Sequence, residues 1–354
     1  MNSMDNQLQP QNLYSKIADL IEQSRKYVAR SINTAMAATY YEIGRFIVED
    51  EQQGKARAEY GKQVLQDLSA RLTEQFGKGW SVDNLKKIRQ FYVIYSKMVT
   101  SGYPITERFD NQRLPDFRLP WSHYLILMSE NNPEARRFYE IEAYNQQWSK
   151  RQLQRQVASS LYERLALSRD KNEVMRLANE GQTIEKPTDI IKNPLALEFI
   201  GLKPNASYSE SDLESCILNK LEDFLMECGK GFLFEARQKR FTFDEDNFYV
   251  DLVLYNRILQ CYVLVDLKVD KLSHQDLGQM LMYVNYFDRY KRLEFEKPTI
   301  GILLCPKKND ALVELTLPKD ANIYAQQYAL CLPNKEELQT KLVEWINEYE
   351  EQNQ

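Results

Sequence analysis

The sequence predicts an α+β protein: an all-helical N-terminal domain, helix-turn-helix-like in part, followed by an α/β domain. Three observations carry this. Up to about residue 165, apolar residues recur at three- and four-residue spacing with almost no period-two alternation. A polar stretch with Pro187 and Pro194 follows. Beyond it, runs rich in Val, Leu and aromatics, bounded by Gly, Asn and Asp, alternate with helical spacing. A chain of 354 residues suits about two domains. We place them at 1–165 and 194–354, with 166–193 as a partly helical linker.

In chain order, Ile17, Leu20, Ile21, Val28, Ile43 and Ile47 lay an apolar stripe that predicts helix over 14–52. Val64, Leu65, Leu68 and Leu72 do the same for 60–75, and Gly77-Lys78-Gly79 stops that helix. Ser81 is placed to cap a third helix whose apolar face is Leu85, Ile88, Tyr92 and Tyr95. Residues 102–120 contain three prolines and read as a connection. Helix resumes over 121–130, breaks at Asn131-Asn132-Pro133, and returns as one or two helices over 134–164.

In the second half, Leu213, Ile217, Leu221 and Leu225 predict one helix over 211–228. Strands are expected at 232–243, 248–255 and 260–269, with a turn at 244–247. A helix follows over 277–290. A continuous apolar run at 298–305 reads as a buried strand, then a strand at 323–328 and a closing helix at 335–349.

Net charge is −5, which argues against a uniformly basic nucleic-acid binder, but averages hide patches. Residues 1–185 carry +3 and residues 186–354 carry −8. Five cysteines without a CxxC pair indicate neither a disulfide framework nor a zinc site. The two histidines, His123 and His274, fall in different predicted domains, so a two-histidine metal site is not expected. There is no GxSxG elbow and no GxxxxGK[ST] phosphate loop, against a serine hydrolase and against ATP use. The polar N-terminus lacks a signal-peptide core, and no run of about 18 apolar residues exists. A soluble protein of the reducing cytoplasm, with no membrane contact, is the expectation.

The chemistry concentrates on two predicted strands. Residues i and i+2 of a strand share a face, so Asp266 and Lys268 project together while Val263, Val265, Leu267 and Val269 fill the other side. Asp251 lies in the preceding strand, and adjacent strands would bring Asp251 and Asp266 within reach of one cation. Neighbouring buried carboxylates repel, and a divalent cation removes the conflict. Oxygen ligands without His or Cys suit Mg²⁺ or Mn²⁺. Glu214, on the helix before the strands, could add a carboxylate. Gln279 and Tyr283, four apart on the later helix, share a face.

A carboxylate on one strand followed by (D/E)-x-K on the next resembles the PD-(D/E)xK nuclease superfamily. Here the elements are Val250-Asp251, without the proline that names the motif, and Asp266-Leu267-Lys268. Gln279-x-x-x-Tyr283 resembles the helix motif of the RecB-like branch. The chain more closely resembles the YhcG-like family, over about residues 13–330. Segments carrying this include Phe76-Gly-Lys-Gly-Trp-Ser81, His123-Tyr124, Arg137-Phe-Tyr139, Tyr249-Val-Asp-Leu-Val-Leu-Tyr255, Val265-Asp-Leu-Lys268 and Pro298-Thr-Ile-Gly301.

The resemblance implies a restriction-endonuclease-like domain, with a central mixed sheet flanked by helices, that cleaves DNA phosphodiester bonds with Mg²⁺ (or Mn²⁺) in prokaryotic genome defence or repair. It implies that Asp251, Asp266 and Glu214 hold the metal. Lys268 would orient the water and stabilise developing charge, while Gln279 and Tyr283 position the nucleophile or a phosphate. Restriction-system or defence proteins are possible partners, and cutting both strands would suit a homodimer. Asp266 stands where many members have Glu, one methylene longer. This motivates a competing reading: a DNA-binding or scaffold subunit that keeps the fold without the activity.

In the helical half, the segment 60–95 resembles a helix-turn-helix whose second helix carries Lys86, Lys87 and Arg89. Lys150, Arg151 and Arg155 form a second basic cluster. Both could neutralise DNA phosphates, or be solvated helix faces.

Overall fold

The computed structural model describes residues 10–53, 58–100, 105–108, 112–169, 171–203, 207–243, 245–307, 310–318 and 321–352. The polar residues 1–9 of the N-terminus and Asp244 of the expected turn lie outside them. The chain forms two compact units, Met1–Gln154 and Arg155–Gln354.

The first unit is built on α1 (Pro10–Gln53), α2 (Ala58–Phe76) and α3 (Val82–Thr100). Ser81 caps α3 as expected, its hydroxyl accepting the Asn84 N–H at 3.3 Å. The Gly77 and Gly79 turn adopts positive φ at both glycines, 81° and 119°. Ile47, Leu65, Leu85 and Ile88 bury together between the three helices. Gly44 lets α1 and α3 approach: a Cβ there would stand 2.5 Å from the Ile88 carbonyl oxygen.

The expected connection at 102–120 contains a two-stranded antiparallel ribbon, β1 (Ile105–Arg108) and β2 (Gln112–Pro115), which pattern reading missed because each strand is four residues long. Then come α4 (Trp121–Leu127) and α5 (Pro133–Asn145), the latter capped by Asn132 with proline at its start. Tyr95 is core, as the spacing of α3 suggested, and Phe91, Phe117 and Tyr124 bury with it; Glu140 is buried beside them, accepting the Tyr124 hydroxyl at 3.0 Å.

The helix α6 (Lys150–Ala158) runs into the second unit and is followed by α7 (Leu161–Ala166). Residues 134–164 therefore contain three helices rather than one or two. The expected linker folds as α8 (Lys171–Glu180) and a 3-10 turn at Pro187–Ile190 within the second unit. A two-residue strand, β3 (Leu195–Ala196), comes next. The helix expected over 211–228 is two, α9 (Glu210–Asn219) and α10 (Leu221–Cys228), separated at Lys220, whose φ of −127° is not helical.

The long hairpin β4 (Phe232–Phe243) and β5 (Asp246–Asn256) leads to β6 (Cys261–Leu267), α11 (His274–Tyr290) and β7 (Ile300–Cys305). The chain ends with α12 (Asp310–Thr316), which has no counterpart in the sequence reading, then β8 (Ile323–Ala329) and α13 (Lys335–Gln352). The strand order is β3-β8-β7-β6-β5-β4. β4, β5 and β6 pair antiparallel, while β6, β7, β8 and β3 pair parallel, so the sheet is mixed.

One face buries Leu252, Leu254, Val263, Val265 and Leu267 against Leu213, Ile217 and Phe224 of α9 and α10. The other buries Val250, Val253 and Leu264 against Leu277, Met280, Tyr283 and Phe287 of α11. This is the expected α+β architecture, a helical first part and a mixed sheet flanked by helices.

Candidate active site

β6 is the strand where pairing changes from antiparallel to parallel, and the expected carboxylates gather at its C-terminal end. Leu252 pairs with Val265, so the next step of the same register sets Asp251 opposite Asp266. Asp251 Oδ2 accepts the Leu267 N–H at 2.8 Å. The Lys268 N–H continues the parallel pairing, donating to the Leu304 carbonyl at 2.8 Å.

The Lys268 ammonium stands 2.8 Å from Asp266 Oδ2, 3.5 Å from Glu210 Oε1 and 3.9 Å from Asp276 Oδ1. Asp276 is fixed in turn by Ser273 in the capping box that starts α11. Asp266 is only 3% exposed. Burial raises its carboxyl pKa to about 7; Lys268 opposes the shift and neighbouring Asp251 adds to it. For Lys268, burial disfavours the charge, but Asp266, Glu210 and Asp276 outweigh it and hold the ammonium above its ordinary range.

On α11, Gln279 donates to the Tyr283 hydroxyl, which joins the pair expected from four-residue spacing. Tyr283 is 1% exposed. Its hydroxyl is pushed up first by burial, then, against the Gln279 hydrogen bond, by the negative charges of Asp266 and Asp251.

Glu214 is buried on α9 but reaches Asp251 through an intermediary that sequence reading missed. Gln238 Nε2 donates to Glu214 Oε2 at 2.9 Å and to Asp251 Oδ1 at 2.8 Å. Nothing in the local pattern of β4 marks this glutamine. Only the pairing of β4 with β5 brings it to the site.

The donor set suits a hard divalent cation. Glu214 Oε1 and Asp266 Oδ2 are buried and accept no hydrogen bond, although the latter faces Lys268 as an ion pair. Among the described residues, however, no three His, Cys, Asp or Glu side chains converge as a ready metal cage. Asp251 and Asp266 would hold such an ion, as oxygen ligands suited to Mg²⁺, with Glu214 linked to Asp251 through Gln238.

The basic residues divide. Lys86 and Lys87 on α3, and Lys150 and Arg151 on α6, are exposed. Arg89 pairs with Glu51 at 2.8 Å. Arg155 differs from the phosphate contact expected of it: its guanidinium is held by Glu198 at 2.9 Å and Glu227 at 2.9 Å. The acidic partners lie 43 and 72 residues away, beyond any local pattern. His123 is tied to the Trp148 carbonyl at 2.8 Å within the first unit and takes no part in the site. No described helix is long and apolar enough to cross a membrane.

Residues 188–343 match the YhcG PDDEXK nuclease domain, and residues 16–164 match the DUF1016 N-terminal domain. The chain is 38% identical over 352 residues to "Putative nuclease YhcG" of Escherichia coli (strain K12), covering 94% of this chain and 93% of that protein. A repair endonuclease from Pyrococcus abyssi shares 22% identity over 36% of this chain and 50% of its own, with a TM-score of 0.26. An EndoMS–double-stranded DNA complex shares 16% over 38% of this chain and 50% of its own, with a TM-score of 0.25. The extent of the match to the Escherichia coli protein, together with a nuclease-domain match that spans Asp251, Asp266 and Lys268, establishes that this chain belongs to the YhcG family of PDDEXK nucleases.

Proposed function

We propose that the protein is a Mg²⁺-dependent (or Mn²⁺-dependent) DNA nuclease whose reacting groups sit at the end of β6. The observation that carries this is the facing of Asp251 and Asp266 across adjacent strands, with Lys268 2.8 Å from Asp266. The two carboxylates would hold the ion, with Glu214 behind them. A bound divalent ion polarises a phosphoryl oxygen and acidifies a coordinated water.

Lys268 supplies what the carboxylates cannot, a positive charge beside the phosphate as negative charge develops on its oxygens. Gln279 orients the Tyr283 hydroxyl, and together they position the nucleophile or a neighbouring phosphate. Lys86, Lys87, Lys150 and Arg151 are the candidate contacts to the DNA backbone. A role in prokaryotic genome defence or repair, acting as a homodimer on both strands, fits this chemistry.

The test is cleavage of plasmid and linear DNA with Mg²⁺ by the wild type, Asp266→Ala and Lys268→Ala. Both variants lose cutting on this reading, and equal cutting by all three removes the assignment. One observation favours a second reading, a DNA-binding scaffold that retains the fold: among the described residues, no third carboxylate completes a cage around Asp251 and Asp266. Calorimetric titration separates the two readings, because a scaffold would bind DNA without binding Mg²⁺ or Mn²⁺.

A further inference from the structure

Gln238 lies on β4, the edge strand of the sheet. Arg237 pairs with Leu252 and Lys239 with Val250, so Gln238 is level with Asp251. The three strands β4, β5 and β6 thus set Gln238, Asp251 and Asp266 in one row. Its φ is +42°, whereas its neighbours are extended strand residues. A side-chain-bearing residue adopts that conformation at an energetic cost that its surroundings must offset.

The contacts made by the amide offset it. Nε2 carries two hydrogens, and each finds a carboxylate, Glu214 Oε2 on one side and Asp251 Oδ1 on the other. With acceptors on both sides, only the amine end of the amide can face them. The group is neutral, so it bridges two negative charges without competing with a cation as an ammonium would. It leaves Glu214 Oε1 buried and without a hydrogen bond.

We infer that Gln238 is a positioning residue of the site, tying the α9 carboxylate of Glu214 to Asp251 so that Glu214 adds its charge behind the two carboxylates that would hold a divalent cation. The inference rests on the metal-dependent reading above. It assigns Gln238 no contact with substrate; its effect on the ion passes through Glu214.

The experiment is Mn²⁺ binding to the full chain, followed by electron paramagnetic resonance of free Mn²⁺. It uses the wild type, Gln238→Ala, Gln238→Met (similar length, no donor), Glu214→Ala and the double variant Gln238→Ala/Glu214→Ala, with thermal melting of each. Residues that hold a metal ligand typically contribute 10–100-fold to affinity. Both Gln238 variants should bind at least about tenfold more weakly than the wild type while melting like it. The double variant should bind no more weakly than Glu214→Ala, because both changes remove one coupled unit.

Affinity within twofold of the wild type in both Gln238 variants overturns the inference and leaves the metal site standing. Multiplying losses in the double variant also overturn it. A wild type that binds no Mn²⁺ overturns the metal-dependent reading and this inference together.

Discussion

Arg164 Nη1 and Glu227 Oε1 meet at 2.5 Å with both side chains fully buried. Arg155 holds the second carboxylate oxygen at 2.9 Å, the Ala196 N–H donates to Oε1 at 3.0 Å, and the buried Lys192 ammonium donates to the Glu227 carbonyl. Removing one partner of such a group leaves uncompensated buried charge. Glu227→Gln should therefore cost about 3–5 kcal/mol. Urea unfolding followed by circular dichroism checks this, and a loss under about 1 kcal/mol would mean that the cations find other partners.

The same glutamate sets an acid limit. Burial opposes its ionisation, but Arg164, Lys192 and Arg155 prevail and draw the carboxyl down to about 2. A folded value below the unfolded one, about 4.3, gives stability that is complete above the unfolded value. That stability is lost as pH falls through the window down to about 2. The melting temperature of the wild type should drop more steeply across that window than that of Glu227→Gln.

Asp266 behaves in the opposite sense. With its carboxyl raised to about 7, it is protonated below neutrality and must lose that proton to ligate a cation. Mn²⁺ affinity should fall about tenfold per pH unit below 7 and level off above it. Titrations between pH 5.5 and 8.5 measure this, and a flat profile would show that Asp266 is not a ligand.

Lys268→Ala separates binding from chemistry. In the proposed reaction the ammonium stabilises the charge developing on the phosphate, so cleavage should fall about 10²–10³-fold. Mn²⁺ binding at pH 8.5 should persist. Removing the ammonium also takes away the charge that opposes the rise in the Asp266 pKa. The pH at which Mn²⁺ binding levels off should therefore move upward.

The three basic positions on α6 should give contrasting results. Lys150 and Arg151 are exposed, so neutralising both should reduce the salt dependence of DNA binding by about one unit of slope per lost phosphate contact. Arg155→Ala should lower the melting temperature and leave that slope unchanged, because its guanidinium is committed to Glu198 and Glu227. Filter-binding at several salt concentrations, with melting curves, tests both.

What the sequence makes legible follows from how local each signal is. The α3 cap, the alternation around Asp251 and Asp266 and the four-residue spacing of Gln279 and Tyr283 are each written within one element, and each appears in the fold. The break at Lys220 is hidden because apolar spacing of four continues across it from Ile217 to Leu221. Arg155 reads as surface charge because its carboxylates lie far along the chain. Gln238 is invisible for a related reason: its place depends on the β4–β5 register and on a backbone conformation that no glutamine advertises.

The hydrogen bond from the Leu267 main chain to Asp251 bears on how the family can diverge. The donor is a backbone amide, which every amino acid except proline provides. Side chains around β6 can drift, and residue 267 itself can change identity, without releasing that carboxylate. Lys268 and Gln238 have no such insurance, since each makes its contacts through its own side chain. Mutational tolerance within the site should therefore be uneven, with the aspartate's orientation outlasting the identities of the residues around it.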